Sequence, residues 1–248
     1  MATYDFSAAR LFIDAPMSSG TRLVLTREQA NYILNVLRLG EGDAFHAFNG
    51  RDGEWRARLS GGSRKAPEIV LDEQLRAQPP AGDIWYLFAP LKAARLDYMV
   101  QKAVEMGASR LVPVITRRTV ASRVNLDRMR ANVIEAVEQC GILSLPEVAD
   151  DLPLTRLLAE FPADRVIVFC DEDAPLSDPI RALGAVARGT PIAVIIGPEG
   201  GFDPAEREML RAMPRVIRLS LGPRILRADT AAVAALTLVQ ATLGDIGG

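Results

Sequence analysis

Histidine is nearly absent from this chain of 248 residues: His46 is the only one. A Ser-His-Asp triad or a His-rich metal site therefore has almost nothing to be built from. Cysteine is scarce too. Cys140 and Cys170 stand far apart in unrelated settings, suit neither a disulfide framework nor a zinc site, and read as free thiols. The Gly-x4-Gly-Lys-Ser/Thr pattern that cradles phosphate in P-loop enzymes does not occur. No apolar run approaches the roughly 18–20 residues that cross a bilayer. The opening MATYDFSAARLFID lacks a basic segment followed by an apolar one, so no secretory signal is expected and the chain reads as cytoplasmic. Internal repeats and low-complexity tracts are also missing. Together these absences remove most hydrolase, kinase and membrane readings.

What is present is an ordinary globular balance, 49% hydrophobic and 24% charged residues. The formal net charge of −2 argues against nonspecific attraction to polyanions. The charge is uneven, however. From Lys92 to Arg130 there are nine basic residues against three acidic ones, and from Ala131 to Asp178 two against eleven. Solvated helix faces account for both stretches, although the first also suits an anionic partner.

The pattern divides near residue 80. Strand-like runs RLFID (10–14), TRLVLT (21–26), DAFHAF, EWRARL and PEIVLDE fill the first part. One helix, REQANYILNVLRL (27–39), is opened by a Thr26–Gln29 capping box. A turn at Gly40, Gly42 and Asp43 follows, and Asn49-Gly50 marks a hairpin loop. This predicts a small β-barrel-like module over 1–76, then a linker at AQPPAG (77–82). Over 82–248, the β-branched runs IWYLFA, LVPVIT, RVIVFC, PIAVIIG and RVIRLSL alternate with amphipathic stretches. In one of these, Leu96, Met99, Val100, Ala103 and Val104 form a stripe closed by Gly107. Apolar strands separated by helices predict an α/β fold with a mostly parallel sheet covered on both faces. No glycine fingerprint follows the first of these strands, where Ala89-Pro90-Leu91-Lys92 stands, so an ordinary dinucleotide fold is not expected. The closing AAVAALTLVQATL is apolar nearly all round and should be buried in the core or at a subunit interface.

Two late segments carry chemistry. In IIGPEGGFDPAERE (195–208) an apolar strand runs into Gly197-Pro198-Glu199-Gly200-Gly201, and Asp203, Pro204 and Glu206 suit the N-cap, N1 and N3 of a helix. Three glycines beyond a parallel strand's carboxyl end let the backbone approach a ligand, in the position where open α/β sheets bind one. In LSLGPRILRADTAAVAAL (219–236) a strand meets Gly222-Pro223, and Arg224 and Arg227 flank Ile225-Leu226. Asp229 or Thr230 suits the N-cap of the last helix, and Asp229 equally suits catalysis. A weaker third segment, QKAVEMGASRLVPVITRRTV (101–120), runs from helix to strand to basic loop. Asp171 and Glu172 after RVIVFC, and Cys140 in EQCG, are ambiguous.

In combination, RLFID, VLRLGEGD, QKAVEMG with LVPVITRR, IGPEGGF and LGPRILRADTA resemble the ribosomal RNA small subunit methyltransferase E (RsmE) family, of the SPOUT class of knotted methyltransferases. The match runs over nearly the whole chain, and the last two motifs are specific as a pair. The resemblance implies an N-terminal PUA-like barrel for RNA and a C-terminal α/β domain with a trefoil knot. It also implies a homodimer that methylates uridine N3 in 16S rRNA of the small ribosomal subunit. The implied cofactor is S-adenosyl-L-methionine, lying against Ile196, Gly197, Pro198, Glu199, Gly200, Gly201, Leu219, Leu221, Gly222, Ile225 and Leu226, with no metal. Two departures stand out: Ile142-Leu143-Ser144 follow EQCG where an arginine is usual, and Asp229 replaces the usual glutamate.

Uridine N3 carries a proton at neutral pH, which something must remove or whose loss must be eased. Arg224 and Arg227 are candidates for stabilising charge on the flanking carbonyl oxygens, and Asp229 is a candidate base. Arg10, Arg22 and Arg38 are candidate phosphate contacts. The competing readings are a related knotted methyltransferase acting on another RNA or a ribose 2′-OH, and a non-catalytic RNA-binding assembly protein.

Overall fold

The computed structural model describes residues 8–120, 123–175 and 178–246. The expectation of no signal segment concerns residues 1–14, of which the first seven lie outside the described residues. The chain divides into two compact units, one comprising residues up to Pro80 together with Val137–Leu145, the other Ala81–Ala136 with the remainder.

The first unit contains β1 (Arg10–Phe12), β2 (Arg22–Val24), α1 (Arg27–Asn31), β3 (Ala44–Phe48), β4 (Glu54–Ser63) and β5 (Ala66–Arg76). They form one sheet in the order β1-β3-β4-β5-β2, antiparallel except for the β1–β3 pair. Alternation along the strands turns Phe45, Ala57, Leu59, Ile69 and Leu71 into a core shared with Leu11 and Ile33. The Thr26–Gln29 capping box forms as expected, Thr26 Oγ1 accepting from Gln29 N at 3.3 Å and Gln29 Oε1 from Thr26 N at 2.9 Å. The helix itself is shorter than its hydrophobic period predicts. Beyond Asn31 it widens into a π turn over Tyr32–Val36, with Leu37 N donating to Tyr32 O at 2.9 Å. It stops at Arg38, the one non-glycine residue with positive φ (58°) among those described. A left-handed residue ends a helix by freeing the next amide to turn back, and here Leu39 N reaches Ile33 O.

A buried carboxylate organises this unit. Glu54 binds Arg10 Nε at 3.1 Å and Arg76 Nε at 2.7 Å, and His46 Nδ1 lies 3.5 Å away. Arg76 Nη2 also donates to Gly141 O at 3.0 Å, and Phe12 N to Glu138 Oε1 at 2.8 Å. The segment after residue 136 is thereby tied to the strands. This corrects the expectation for Arg10, which is 5% exposed with its guanidinium on Glu54, and so is a structural cation rather than a phosphate contact.

The second unit has β6 (Ile84–Phe88), α2 (Ala93–Glu105), β7 (Arg110–Ile115), α3 (Leu126–Cys140, whose last turn belongs to the first unit), β8 (Glu147–Val148), β9 (Leu152–Pro153), α4 (Leu154–Ala159), β10 (Val166–Cys170), α5 (Pro179–Leu183), β11 (Ile192–Ile196), α6 (Pro204–Arg211), β12 (Val216–Leu219) and α7 (Ala228–Leu243). The five expected strands all form. Two short strands not anticipated from the sequence, β8 and β9, join them: the order is β12-β10-β11-β6-β7-β8, with β9 also on β7, and every pair is parallel. Pro113 sits within β7 because its outer neighbours divide there: β8 pairs with residues 110 and 111, and β9 with 114 and 115. A residue without an amide hydrogen falls in the gap. Helices α2, α5 and α7 pack together on one face and α4 with α6 on the other. The stripe from Leu96 to Val104 is buried, and α7 buries Ala232, Ala235, Leu236 and Val239.

Burial by itself raises the Glu54 carboxyl, but its His46 and Arg76 neighbours outweigh that and lower it from 4.5 to about 2. A depressed carboxyl stabilises the fold fully above its unfolded value, so this contribution is lost as pH falls from 4.5 toward about 2. Urea titrations of wild type should show that acid loss, and Glu54→Gln, which removes the negative charge facing buried Arg10, should cost about 3 kcal/mol at pH 7. An unchanged midpoint in the variant would remove this network from the account.

Candidate active site

All strands of the second unit end at the same edge, so the loops after β7, β10, β11 and β12 meet there. The β11 loop is central. Gly201 N donates to Pro198 O at 2.8 Å, and Asp203 then caps α6, its Oδ1 accepting from Ala205 N at 3.0 Å. Glu206 Oε2 closes the capping box on Asp203 N at 3.1 Å, with Pro204 in the first turn. The Asp203, Pro204 and Glu206 positions are those the sequence predicts. Glu206 does more than cap: its Oε1 accepts from Arg117 N at 2.8 Å, fixing the loop after β7. Arg118 Nη1 donates to Gly200 O at 2.8 Å, and Arg117 pairs with Asp203 at 3.0 Å.

The glycines prove to have separate reasons. A Cβ on Gly197 would lie 2.7 Å from the Phe202 ring, which packs edge-on against Phe169 at 5.3 Å between centroids. Gly201 has φ +69° and would place a Cβ 2.6 Å from Glu172 Oε1. Gly197 is therefore demanded by the protein's own packing, and Gly201 by its left-handed backbone, since the exposed Glu172 side chain can swing aside. Gly222 differs: φ is +98° and nothing lies within 4 Å of a Cβ built there, so the backbone is open on that side.

The loop after β10 is pinned by a buried acid. The Asp171 carboxylate is fully buried and faces Arg218 Nε of β12 at 2.8 Å, with Arg211 Nη2 at 3.3 Å and Arg207 Nε at 3.5 Å from α6. Arg207 also pairs with Glu172 at 2.7 Å and with Asp173. Burial pushes the neighbouring Cys170 thiol up to about 12, so it stays protonated and is no nucleophile.

Between the two glycine-bearing loops stands Arg95, in the first turn of α2. Its Nε is 3.1 Å from Asp229 Oδ2 and its Nη2 3.3 Å from Asp229 Oδ1, while Nη1 binds Glu199. The segments around residues 197–201 and 222–229 thus share one cation. The hydrogen bonds it donates to Asp229 hold the Arg95 guanidinium above its usual range. For Asp229, burial opposes ionisation, but Arg95 and the Thr230 amide more than offset it and lower the carboxyl. This alters two expectations. Neither Asp229 nor Thr230 caps α7: Arg227 occupies the N-cap, and Asp229 sits one residue inside the helix. A carboxylate made less basic and already holding a guanidinium is a poor general base.

Ile196 and Leu219 are buried strand ends, Pro198 is buried, and Leu221 and Leu226 are half-buried. Glu199 and Gly200 are exposed, and Ile225 is 98% exposed. Arg224 and Arg227 are exposed, and no hydrogen bond or ion pair engages either side chain among the described residues. In the first unit, Arg22 is exposed with Nη1 3.5 Å from Ser60 Oγ, and Arg38 is exposed at the helix end. Arg95 and Arg118 escape sequence reasoning, and Asp171 is only marked there as ambiguous. The first two lie in the basic stretch from Lys92 to Arg130, whose charge is legible but whose targets are not.

A family model described as an RNA methyltransferase domain matches residues 77–240, and one described as an RNA methyltransferase PUA domain matches 25–72. The chain belongs to the RNA methyltransferase family. Among relatives, the ribosomal RNA small subunit methyltransferase E of Rickettsia conorii is 28% identical over 232 residues, covering 93% of this chain and 94% of that one. The enzyme of the same name from Bacillus subtilis is 28% identical, covering 87% and 88%. A crystal structure of methyltransferase E from Neisseria gonorrhoeae bound to S-adenosyl methionine is 25% identical with TM-score 0.83, covering 94% of this chain and 97% of that one. Within this methyltransferase, the Phe202–Gly197 packing gives a direct check on the site's frame. Gly197→Ala should destabilise it by about 1–3 kcal/mol, because the ring must move aside for a methyl group. Equal urea midpoints for the two proteins would contradict that packing.

Proposed function

We propose that this protein transfers the methyl group of S-adenosyl-L-methionine to N3 of a uridine in 16S rRNA of the small ribosomal subunit. Residues 1–76 would hold RNA and residues 82–248 carry catalysis. The observation that carries the reading is the Arg95 bridge, which brings Glu199 of one glycine-bearing loop and Asp229 beside the other onto a single guanidinium. The similarity to the cofactor-bound Neisseria enzyme supports the choice of cofactor.

The residues present fit such a group. Ile196, Leu219, Leu221 and Leu226 supply apolar surface, and the open backbone at Gly222 and exposed Gly200 allow close approach. Glu199 adds negative charge suited to a cationic ligand. When bound, S-adenosylmethionine supplies a methyl group already activated as a sulfonium. What remains for the chain is alignment and control of charge. Loss of the N3 proton leaves negative charge spread over the flanking carbonyl oxygens of uridine. Arg224 and Arg227 have guanidinium donors free of partners among the described residues, so they are placed to stabilise that charge and ease loss of the proton to solvent. Asp229 serves in this reading as the anchor for Arg95 rather than as base. Exposed Arg22 and Arg38 remain candidate phosphate contacts. A trefoil knot, a cytoplasmic location and a homodimer complete the proposal. The half-buried apolar residues Val233, Ala234 and Leu238 on α7 are the surface a second copy would cover.

The test is mass spectrometry of 16S rRNA from cells with and without the gene, which should show one methylated uridine lost. In the purified enzyme, Arg224→Ala should bind S-adenosylmethionine normally and methylate rRNA about 100-fold more slowly. Normal methylation by that variant would remove the arginine from the mechanism.

A further inference from the structure

We propose that Arg95 is the positioning residue that sets the Gly197–Gly201 and Leu221–Arg227 loops against one another, acting on the reaction through Asp229 rather than on substrate. The proposal rests on the reading above and deepens it. Its physical basis is the unequal grip of one guanidinium on two carboxylates. Two of its nitrogens face the two oxygens of Asp229, at 3.1 and 3.3 Å, whereas only Nη1 serves the more exposed Glu199. A two-point contact fixes orientation as well as distance. The base of the clamp is firm, because Leu96, Met99 and Val100, which follow Arg95 on α2, are buried, α2 packs on α7, and Tyr86 Oη of β6 donates to Met99 Sδ at 2.9 Å.

The consequence runs along the chain. Asp229 lies two residues after Arg227, and Ala231 N bonds to Arg227 O at 2.8 Å in the first turn of α7. Holding Asp229 therefore holds the downstream end of the loop bearing Arg224 and Arg227. Its upstream end is already fixed where β12 enters the sheet. Between these ends the loop has little else to order it: Gly222, Pro223, Arg224 and Ile225 are all exposed. The Glu199 leg connects the same cation to the exposed crest of the other loop. Lysine would keep the charge but offers no planar fork to meet both oxygens of Asp229 while reaching Glu199. Charge and geometry are thus separable by substitution.

The experiment is amide hydrogen exchange on the full-length protein without added ligand, comparing wild type, Arg95→Lys, Arg95→Ala and Asp229→Asn. Exchange in residues 197–201 and 222–227 should quicken together by about tenfold or more in the Arg95 variants, with the β6 and β11 core unchanged. Asp229→Asn should loosen 222–227 chiefly, and combining it with Arg95→Ala should add little there. Calorimetry with S-adenosylmethionine should show Arg95→Lys weakened about tenfold, and its kcat on rRNA should fall while the rRNA KM holds. Unchanged exchange in either loop in Arg95→Ala, or fully additive effects in the double variant, would overturn the clamp. Should wild type bind no S-adenosylmethionine, the proposed function falls, and the exchange result still decides the clamp.

Discussion

Parallel pairing throughout the second unit is the constraint from which the site follows. When every strand runs the same way, every carboxyl end lies at one edge, and each connection must return across a face to start again. The return paths are the helices, and they cover both faces, so the strands can be apolar on both sides. Segments as distant as residues 95, 117, 172, 199 and 229 then meet without any long-range instruction in their own sequences. Charged contacts refine the arrangement. Asp171 draws arginines from β12 and α6 to the end of β10, and Glu206 receives the amide of Arg117 while capping α6.

These polar contacts also limit what the glycines can be said to do. A glycine-rich loop beyond a parallel strand invites a ligand-binding explanation for each glycine. Phe202 claims the space beside Gly197, and the left-handed backbone of Gly201 accounts for that residue without a ligand. Gly222 alone of these three has a backbone with nothing opposite it. The loop's shape is thus made by internal packing, and its exposed crest at Glu199 and Gly200 is left available. That division suits a site whose frame must exist before any ligand arrives, since preorganisation reduces the ordering that binding would otherwise require.

Periodicity reveals the strands, the capping boxes at Thr26 and Asp203, and the buried stripe of α2, because each depends on neighbours within a few residues. The π turn over Tyr32–Val36 escapes it, since a hydrophobic period cannot distinguish a helix that widens by one residue from one that continues. Asp229 escapes for a different reason. A good capping residue beside a helix start is read as the cap unless something distant takes its carboxylate, and Arg95 lies 134 positions earlier in the chain. Arg10 shows the same limit: a strand arginine looks solvent-facing until the buried Glu54 is known to lie beside it.

The distribution of arginine partners bears on which cations can act on a substrate. Arg10, Arg76, Arg95, Arg207, Arg211 and Arg218 each face at least one carboxylate, and several are partly or wholly buried. A guanidinium so engaged is costly to redirect, because a substrate anion must displace a protein anion already in place. Arg224 and Arg227 have no such competitor among the described residues. Exposure alone would not single them out, since an unpaired arginine in water costs little. Their placement does: they stand on a short loop whose ends are held by the sheet and by Asp229, so their reach is confined while their donors stay free. A confined, uncommitted cation can respond to charge that appears only as the reaction proceeds, and differential stabilisation of that kind is what accelerates a chemical step.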